Sequence, residues 1–221
     1  MDIKEAIKGR ISVRAFQDKP VAKEVIYDVL DTARWAPSGT NTQPWKVVVA
    51  QGKTKQTISD ALLNAAKNGV KANPDYQYYP KEWVEPFKGR RFQCGMDLYQ
   101  ALDIGREDKE KRTEAALANY RFFDAPVSMF FFIDKIMAQG SWFDMGMFVQ
   151  SVMLALRGHG LGSCPQASTS DYPDLVRERL NVSDQYSFIC SLSVGYPDND
   201  KPVNQYRTQR EDVDSFTTWA D

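Results

Sequence analysis

A short basic segment near the start of the chain has the residue types and spacing of an anion-binding site. The run Arg10-Ile11-Ser12-Val13-Arg14 places two arginines and a serine at alternate positions. If the segment is extended, these three side chains share one side, and the two aliphatic side chains share the other. Two guanidinium groups beside a hydroxyl can donate several charge-assisted hydrogen bonds to a phosphate. Solvated surface charges are the alternative for this segment taken alone.

A second polar segment, residues 36–45, has the composition of a binding loop. Its sequence, APSGTNTQPW, places small hydroxylated residues and two amides between Pro37 and Pro44. The prolines restrict the backbone. Asn41 and Gln43 each offer hydrogen-bond donors and an acceptor, as the edge of a heteroaromatic ring requires. An ordinary turn between a helix and a strand is the alternative for this segment by itself.

Composition argues against several other kinds of chemistry. The chain has 221 residues, of which 43% are hydrophobic and 26% charged, as in a typical globular protein, and its net charge of -1 argues against a nucleic-acid partner. A single histidine, His159, cannot form a histidine-rich metal site, and three widely spaced cysteines provide no CxxC pair. GxSxG, P-loop and GxGxxG motifs are absent from the sequence. We therefore expect a cofactor other than a metal to carry any catalysis.

Hydrophobic patterns predict the elements that must position these segments. Apolar residues at helical spacing predict helices over 22–33 and 58–65. We also expect a helix over 142–156, a short helix after Pro173, and a helical region over 95–123 with a charged interruption at 106–112. Three buried strands are predicted at 46–50, 127–133 and 187–194. Because helices dominate and the order is irregular, the pattern favours an α+β fold over a doubly wound one. The 142–156 helix is apolar nearly all round, so the core or a partner subunit must cover it.

The remaining segments predict a single domain with two additions. Residues 70–91 lack periodicity and are rich in aromatic residues and proline, as in a lid or binding loop. The chain from Pro197 onward is polar and resembles an arm. The longest apolar stretch is too short to span a bilayer, and the first residues lack the apolar segment of a signal peptide. We expect one domain over 1–221 in a soluble, cytoplasmic protein without a membrane partner, with an insertion at about 70–112 and an arm at about 197–221.

Five segments occur in a specific order over nearly the whole chain. They are the R-x-S-x-R run, the A-P-S-G-x-N-x-Q-P-W loop, and residues 119–126 (NYRFFDAP), 160–166 (GLGSCPQ) and 195–197 (GYP). This ordered set resembles the FMN-dependent nitroreductase family, and the insertion is similar to that of its nitrobenzoate and nitroaromatic reductase subgroup. The set is more specific than any one of its members.

The resemblance implies a fold, a cofactor and a reaction. The expected fold is a nitroreductase-like three-layer α+β arrangement, in which helices flank a central mixed or mainly antiparallel sheet and two copies form an intertwined homodimer. The expected cofactor is FMN, reduced by NADH or NADPH in a ping-pong reaction that transfers hydride to a small aromatic acceptor, a nitroaromatic compound or a quinone. Reductive dehalogenation, flavin fragmentation and enone reduction on the same fold are alternatives, as is a protein that senses FMN without turnover.

The resemblance also assigns residues to the flavin site. The backbone of Gln166 and Ala167, or of the pair one residue later, would hydrogen-bond flavin N5, and no catalytic side chain is expected. The 37–41 loop would reach the flavin of the other subunit. Compared with the best-studied branch, Arg14 replaces a lysine, and either Gln166-Ala167 or Ala167-Ser168 replaces a Glu-Gly pair. The residues that match FMN-contacting positions are Arg10, Ser12, Arg14, Pro37, Ser38, Gly39, Asn41, Asn119, Arg121, Pro165, Gln166, Ala167, Arg207 and Arg210.

Aromatic residues of the insertion are candidates for the acceptor site. Tyr78, Tyr79, Trp83 and Phe92 could form walls that cover the acceptor and determine which substrate is used. Packing beneath a long loop is an equally good interpretation of the same side chains.

Overall fold

A four-stranded antiparallel sheet forms the centre of the computed structural model, which describes residues 1–220. Its strands are β1 Trp45–Gln51, β2 Val127–Asp134, β3 Gly162–Gln166 and β4 Tyr186–Gly195, in the order β1-β2-β4-β3. Every neighbouring pair is antiparallel. Helices cover both faces, which confirms the mainly antiparallel, three-layer α+β architecture predicted from the sequence.

Seven α-helices occur in the described part of the chain. α2 and α6 pack on one face of the sheet and α3 and α7 on the other. α1, α4 and α5 have no fully buried residue. No helix within residues 1–220 is both long enough and apolar enough to cross a membrane. The helices are α1 Ile3–Gly9, α2 Lys23–Ala33, α3 Gly52–Lys67, α4 Phe87–Ala101, α5 Lys109–Leu117, α6 Gln139–Gly158 and α7 Pro173–Leu180.

Strand β2 explains why the sequence contains a continuous apolar run. Met129 and Phe131 belong to the core under α2 and α6, while Phe130 and Phe132 belong to the core under α3 and α7. Successive side chains of a strand point to opposite faces, and here both faces are covered by helices. Residues on both faces of the strand are therefore apolar, which makes the run continuous. All four side chains are fully buried.

Three elements differ from the sequence prediction: two were not predicted, and one begins at a different residue. Strand β3 was not predicted, because its sequence, GSCPQ, is rich in residues of low β propensity and is held by pairing with β4. Helix α1 was also not predicted. Helix α4 begins at Phe87, within the predicted loop and eight residues before the predicted helical region, because Gly89 and Gly95 weaken its helical pattern.

The basic segment near the N-terminus is extended, which is the conformation that places its arginines on one side, and it lies along the outer edge of β3. Ser12 pairs in parallel with Ser163, and the Val13 amide donates to the Ser163 carbonyl at 3.0 Å. A β-carbon at Gly162 would lie 2.6 Å from the Val13 side chain, so only glycine allows this close approach. The buried side of the segment is thus held by β3, which leaves the arginine side facing away from it.

The start of the insertion is tied to the sheet by buried polar contacts. The Arg177 guanidinium pairs with Asp75 through two contacts, of 2.5 and 3.1 Å. The Asp75 carboxylate also accepts from the Phe188 amide at 2.8 Å. The Tyr76 hydroxyl donates to the Ile189 carbonyl at 2.7 Å, at the position where the register of β4 shifts. These contacts fix the direction in which the insertion leaves the sheet.

We predict that Asp75→Ala lowers the free energy of unfolding by about 3 kcal/mol, because it leaves the buried Arg177 charge without its main partner. Urea denaturation at constant protein concentration measures the change. The matched control is Asp31→Ala, which removes an exposed ion pair with Arg34 and should cost less than about 1 kcal/mol. Equal losses in the two variants would contradict the structural role of the Asp75 contact.

Candidate functional site

A basic cavity of about 770 Å³ lies between the N-terminal segment, α4 and the C-terminal arm. It brings together arginines from opposite ends of the sequence. Ser12 lies between two of them, and α4 supplies Cys94 to the same wall. Its arginines, all of them predicted site residues, are Arg10, Arg14, Arg207 and Arg210.

The arginines of the basic cavity have no acidic partners in the described structure. Within residues 1–220, none of the four forms an ion pair with a carboxylate. Arg14 donates to the Tyr206 hydroxyl at 3.1 Å and to the Ser12 carbonyl at 3.4 Å. Burial, together with the nearby charge of Arg210, lowers the pKa of Arg10. Such a concentration of uncompensated positive charge favours an anionic ligand.

A second, mainly apolar cavity of about 320 Å³ shares Arg14 and Val203 with the basic cavity. Asn119 and Arg121, both predicted site residues, lie in its wall, where Arg121 pairs with Glu114 at 2.5 Å. The two cavities therefore adjoin, with charge concentrated in one and apolar surface in the other. The remaining side chains of the apolar cavity are Leu98, Leu102, Ile104, Lys111, Ala115, Ala118 and Phe123.

The segment expected to face flavin N5 lies at the end of β3. Pro165 is exposed, Ala167 is half-buried, and the Gln166 side chain is buried. Gln166 Nε2 donates to the Asn119 carbonyl at 2.7 Å, and Gln166 Oε1 accepts from the Ser193 hydroxyl at 2.5 Å. The Gln166 side chain is therefore occupied inside the protein and links Asn119 to the sheet.

The 37–41 loop is largely exposed and is held by hydrogen bonds. The Gly39 amide donates to the buried carboxylate of Asp144 at 3.1 Å, and the Ser38 hydroxyl accepts from the Gln43 amide at 2.9 Å. Thr40 and Asn41 adopt left-handed backbone conformations, with φ of 50° and 58°. Pro37, Ser38, Gly39 and Asn41 line neither of the two cavities in the same chain.

The candidate acceptor residues form a surface cluster instead of a cavity wall. Tyr78 and Tyr79 pack edge to face with ring centroids 4.6 Å apart, and Trp83 lies 5.6 Å from Tyr79. Phe92 is exposed on α4. None of the four lines the basic or the apolar cavity. Their role in acceptor binding stays a prediction.

The lone histidine, His159, and the buried Cys164 line neither the basic nor the apolar cavity. His159 contacts Asp28 at 2.9 Å on the surface. Burial raises the pKa of the Cys164 thiol, which disfavours a reactive thiolate and agrees with a packing role. In the part of the chain that the structure describes, no group of three or more histidine, cysteine or acidic residues could hold a metal ion.

Several residues of the two cavities were not predicted. Tyr206 could have been found, since it directly precedes Arg207 in the predicted arm. Cys94 and Leu98 lie on α4 and Leu102 directly follows it. The weak helical periodicity of this segment gave no indication of which face contacts the cavities. Val203, in both cavity walls, has no signal of its own in the sequence.

The fold and the adjoining cavities define an α+β protein with a site for a ligand that is anionic at one end and apolar at the other. Residues 7–196 match the model of the Nitroreductase family, and the chain belongs to this family. The family membership predicted from the five sequence segments is thereby confirmed.

Relatives of this chain extend over its full length. It is 36% identical to the 4-nitrobenzoate reductase of Pseudomonas putida, over 98% of this chain and 94% of that protein. It is also similar to the FMN and NADPH-dependent nitroreductase NfnB from Sphigopyxis sp. strain HMH, with a TM-score of 0.97, 38% identity and complete coverage of both chains. NfnB from Mycobacterium smegmatis, solved in complex with NADPH, has a TM-score of 0.94 and 32% identity, over 99% of this chain and 97% of that chain.

We predict that Gln166→Leu lowers the free energy of unfolding by about 2 kcal/mol, because the fully buried Ser193 hydroxyl and the Asn119 carbonyl lose their partner. Chemical denaturation measures the loss. In the control Gln56→Leu, an exposed amide that contacts only Asp60 is replaced, and stability should change by at most about 0.5 kcal/mol. A Gln166 variant as stable as the control would show that these hydrogen bonds contribute nothing.

Proposed function

We propose that this chain is an FMN-dependent NAD(P)H oxidoreductase that reduces nitroaromatic compounds or quinones. The observation that carries the proposal is the basic cavity, in which unpaired arginines from both ends of the chain adjoin an apolar cavity. The names of its full-length relatives, which include a 4-nitrobenzoate reductase and FMN-dependent nitroreductases, support the same function.

The residues of the two cavities fit FMN. Arg10, Arg207 and Arg210 would hold its phosphate, since guanidinium groups without acidic partners suit a dianion. Ser12 would hydrogen-bond the ribityl chain. The apolar cavity offers surface for a ring system, and its wall includes groups that can hydrogen-bond a polar ring edge: Arg14, Asn119 and Arg121.

Bound FMN supplies hydride transfer from NADH or NADPH to the acceptor. Arg14, which lines both cavities, is a permanent cation and would stabilise the negative charge that develops on the ring during reduction. The Gln166 side chain fixes the position of Asn119 through the hydrogen bond that it donates to the Asn119 carbonyl. Glu114 in the apolar cavity is bound to Arg121, so we assign proton delivery to solvent.

We also propose that two copies form a homodimer through the face that contains the 37–41 loop. Trp35 is 79% exposed beside this loop, and Phe143 is 72% exposed next to Asp144, which binds the loop. Large exposed aromatic residues on one face mark interaction surfaces. A second copy on this face would bring the loop to a flavin site that its own chain does not provide, as the sequence resemblance implies.

The same interpretation gives the insertion a role in the site. We propose one domain whose 70–112 insertion forms part of the cofactor site through Leu98 and Leu102, in addition to covering the acceptor. The aromatic cluster of Tyr78, Tyr79 and Trp83 would complete the acceptor site together with the second subunit.

Three free cysteines fit a reducing compartment, which supports a cytoplasmic location.

The proposed function predicts a yellow protein that NADH or NADPH bleaches without oxygen. Reoxidation should be fast with 4-nitrobenzoate and slow with an enone, and stopped-flow absorbance follows both half-reactions. Arg14→Ala should raise the FMN dissociation constant about tenfold, since charge-assisted hydrogen bonds are the strong ones. Lys67→Ala, at the exposed end of α3, is the control.

Each alternative function has its own outcome in this experiment. Protein that stays colourless after incubation with FMN would overturn every flavin-based interpretation. Yellow protein that neither nicotinamide cofactor bleaches would indicate a binding or sensing role. Reoxidation by an enone or a halogenated phenol, but not by a nitroaromatic compound, would indicate one of the other reactions of this fold.

The homodimer predicts a mass near twice the 25.2 kDa of one chain in light scattering. Replacing both Trp35 and Phe143 by serine should move the mass towards that of one chain and weaken FMN binding, because each flavin site loses its partner's loop. Val70→Ser is the control, as Val70 is exposed three residues after α3, which packs on the opposite face of the sheet. A wild-type monomer that retains FMN tightly would contradict the shared site.

A further inference from the structure

A smaller cavity of about 300 Å³ adjoins the basic segment, and we call it the rear cavity. It shares Arg10 and Arg207 with the basic cavity. It also contains Arg157, from the last turn of α6. Neither the sequence motifs nor the family resemblance pointed to Arg157.

Arg157 has hydrogen-bonding groups that the described protein does not satisfy. Its Nε atom is buried and has no hydrogen-bond partner, and its guanidinium forms no ion pair within residues 1–220. A buried donor without a partner is costly, more so when it is charged. The α6 C-terminus provides only a partial negative charge. An anion in the rear cavity, which Arg157 lines, would offset the charge of this guanidinium.

Gly9 leaves room for the Arg157 guanidinium beside Arg10. A β-carbon at Gly9 would lie 2.6 Å from Arg157 Nη2 and 2.7 Å from Nη1, so any larger residue would displace the guanidinium. Gly9 is also the residue directly before Arg10. The charge of Arg157 contributes to the lowered pKa of Arg10, after burial and Arg210, which agrees with their proximity.

We propose that Arg157 is an additional binding residue for the FMN phosphate: it would join Arg10 and Arg207, which line both the rear and the basic cavity, while Arg210 contacts the same phosphate from the basic cavity. The proposal rests on the proposed function, because it takes FMN as the ligand. A phosphate monoester carries close to two negative charges at neutral pH and accepts hydrogen bonds through three oxygens. It can therefore receive donors from several arginines and offset their mutual repulsion.

Flavins with and without the phosphate test this assignment. Full-length protein freed of flavin is titrated with FMN and with riboflavin, and flavin fluorescence quenching gives both dissociation constants. In Arg157→Gln, we expect the constant for FMN to rise about tenfold or more, since a charge-assisted contact is lost. The constant for riboflavin should stay unchanged. Arg157→Lys keeps the charge and should lie between wild type and Arg157→Gln for FMN.

The matched control is Arg179→Gln, which also removes an arginine from the last turn of a helix, α7. Arg179 pairs with Glu178 and lines none of the three cavities described above. Both flavin constants should be unchanged in this variant. Melting temperatures add a second readout. Without flavin, Arg157→Gln should melt no lower than wild type, because a partly buried charge without an acidic partner is removed, whereas FMN should raise its melting temperature less.

The possible outcomes separate this inference from the proposed function. Equal losses of FMN and riboflavin affinity would indicate a purely structural role and overturn the assignment, as would unchanged affinity for both. If Arg157→Gln does not fold, the FMN-to-riboflavin ratio of Arg157→Lys decides the question. Wild-type protein that binds neither flavin would count against the proposed function itself. Tight FMN binding by wild type and by both variants would overturn the Arg157 assignment alone.

Discussion

The site depends on one constraint, the attachment of the extended segment at residues 10–14 between strand β3 and the C-terminal arm. The Val13 amide binds the Ser163 carbonyl on one side. On the other side, Asn204 accepts from the Arg14 amide and donates to the Ala15 carbonyl, at 2.9 and 2.7 Å. These backbone contacts determine where Arg10 and Arg14 point. They also place the arm, and with it Arg207, opposite the segment.

This attachment places the positively charged arginines of the basic cavity close together. Without a bound anion, their mutual repulsion destabilises the folded chain. The lowered pKa of Arg10, caused by burial and by neighbouring arginines, is one sign of this repulsion. Residues selected for function commonly make the folded state less stable than alternative residues at the same positions would. The buried core under α2 and α6 and the hydrogen bonds of Asn204 supply the compensating stability. A bound anion stabilises the folded state further, because it binds this arrangement and not the unfolded chain.

The sequence predicted those parts of the fold and site that have a local signal. The apolar run of β2, the periodicity of α2 and the apolar character of α6 predicted the core, and the alternation in residues 10–14 indicated that the arginines share one side if the segment is extended. Strand β3 has no such signal, since its five residues form a strand only through pairing with β4. Arg157 has none either, because an arginine in the last turn of a helix is ordinary. Its environment depends on Gly9, which lies far away in sequence and becomes adjacent only in the folded chain.

The insertion shows why the composition of a segment is a poor guide to its role. Its aromatic, proline-rich first half predicted a cover over the acceptor, yet in one chain Tyr78, Tyr79 and Trp83 pack against one another on the surface. Its second half forms α4, which supplies Cys94 and Leu98 to the cavities assigned to the cofactor. Asp75 and Tyr76 fix the start of the insertion to β4 and α7. A segment anchored in this way and lining the cofactor site would connect acceptor choice to cofactor binding. Substitutions along α4 would then affect both properties together.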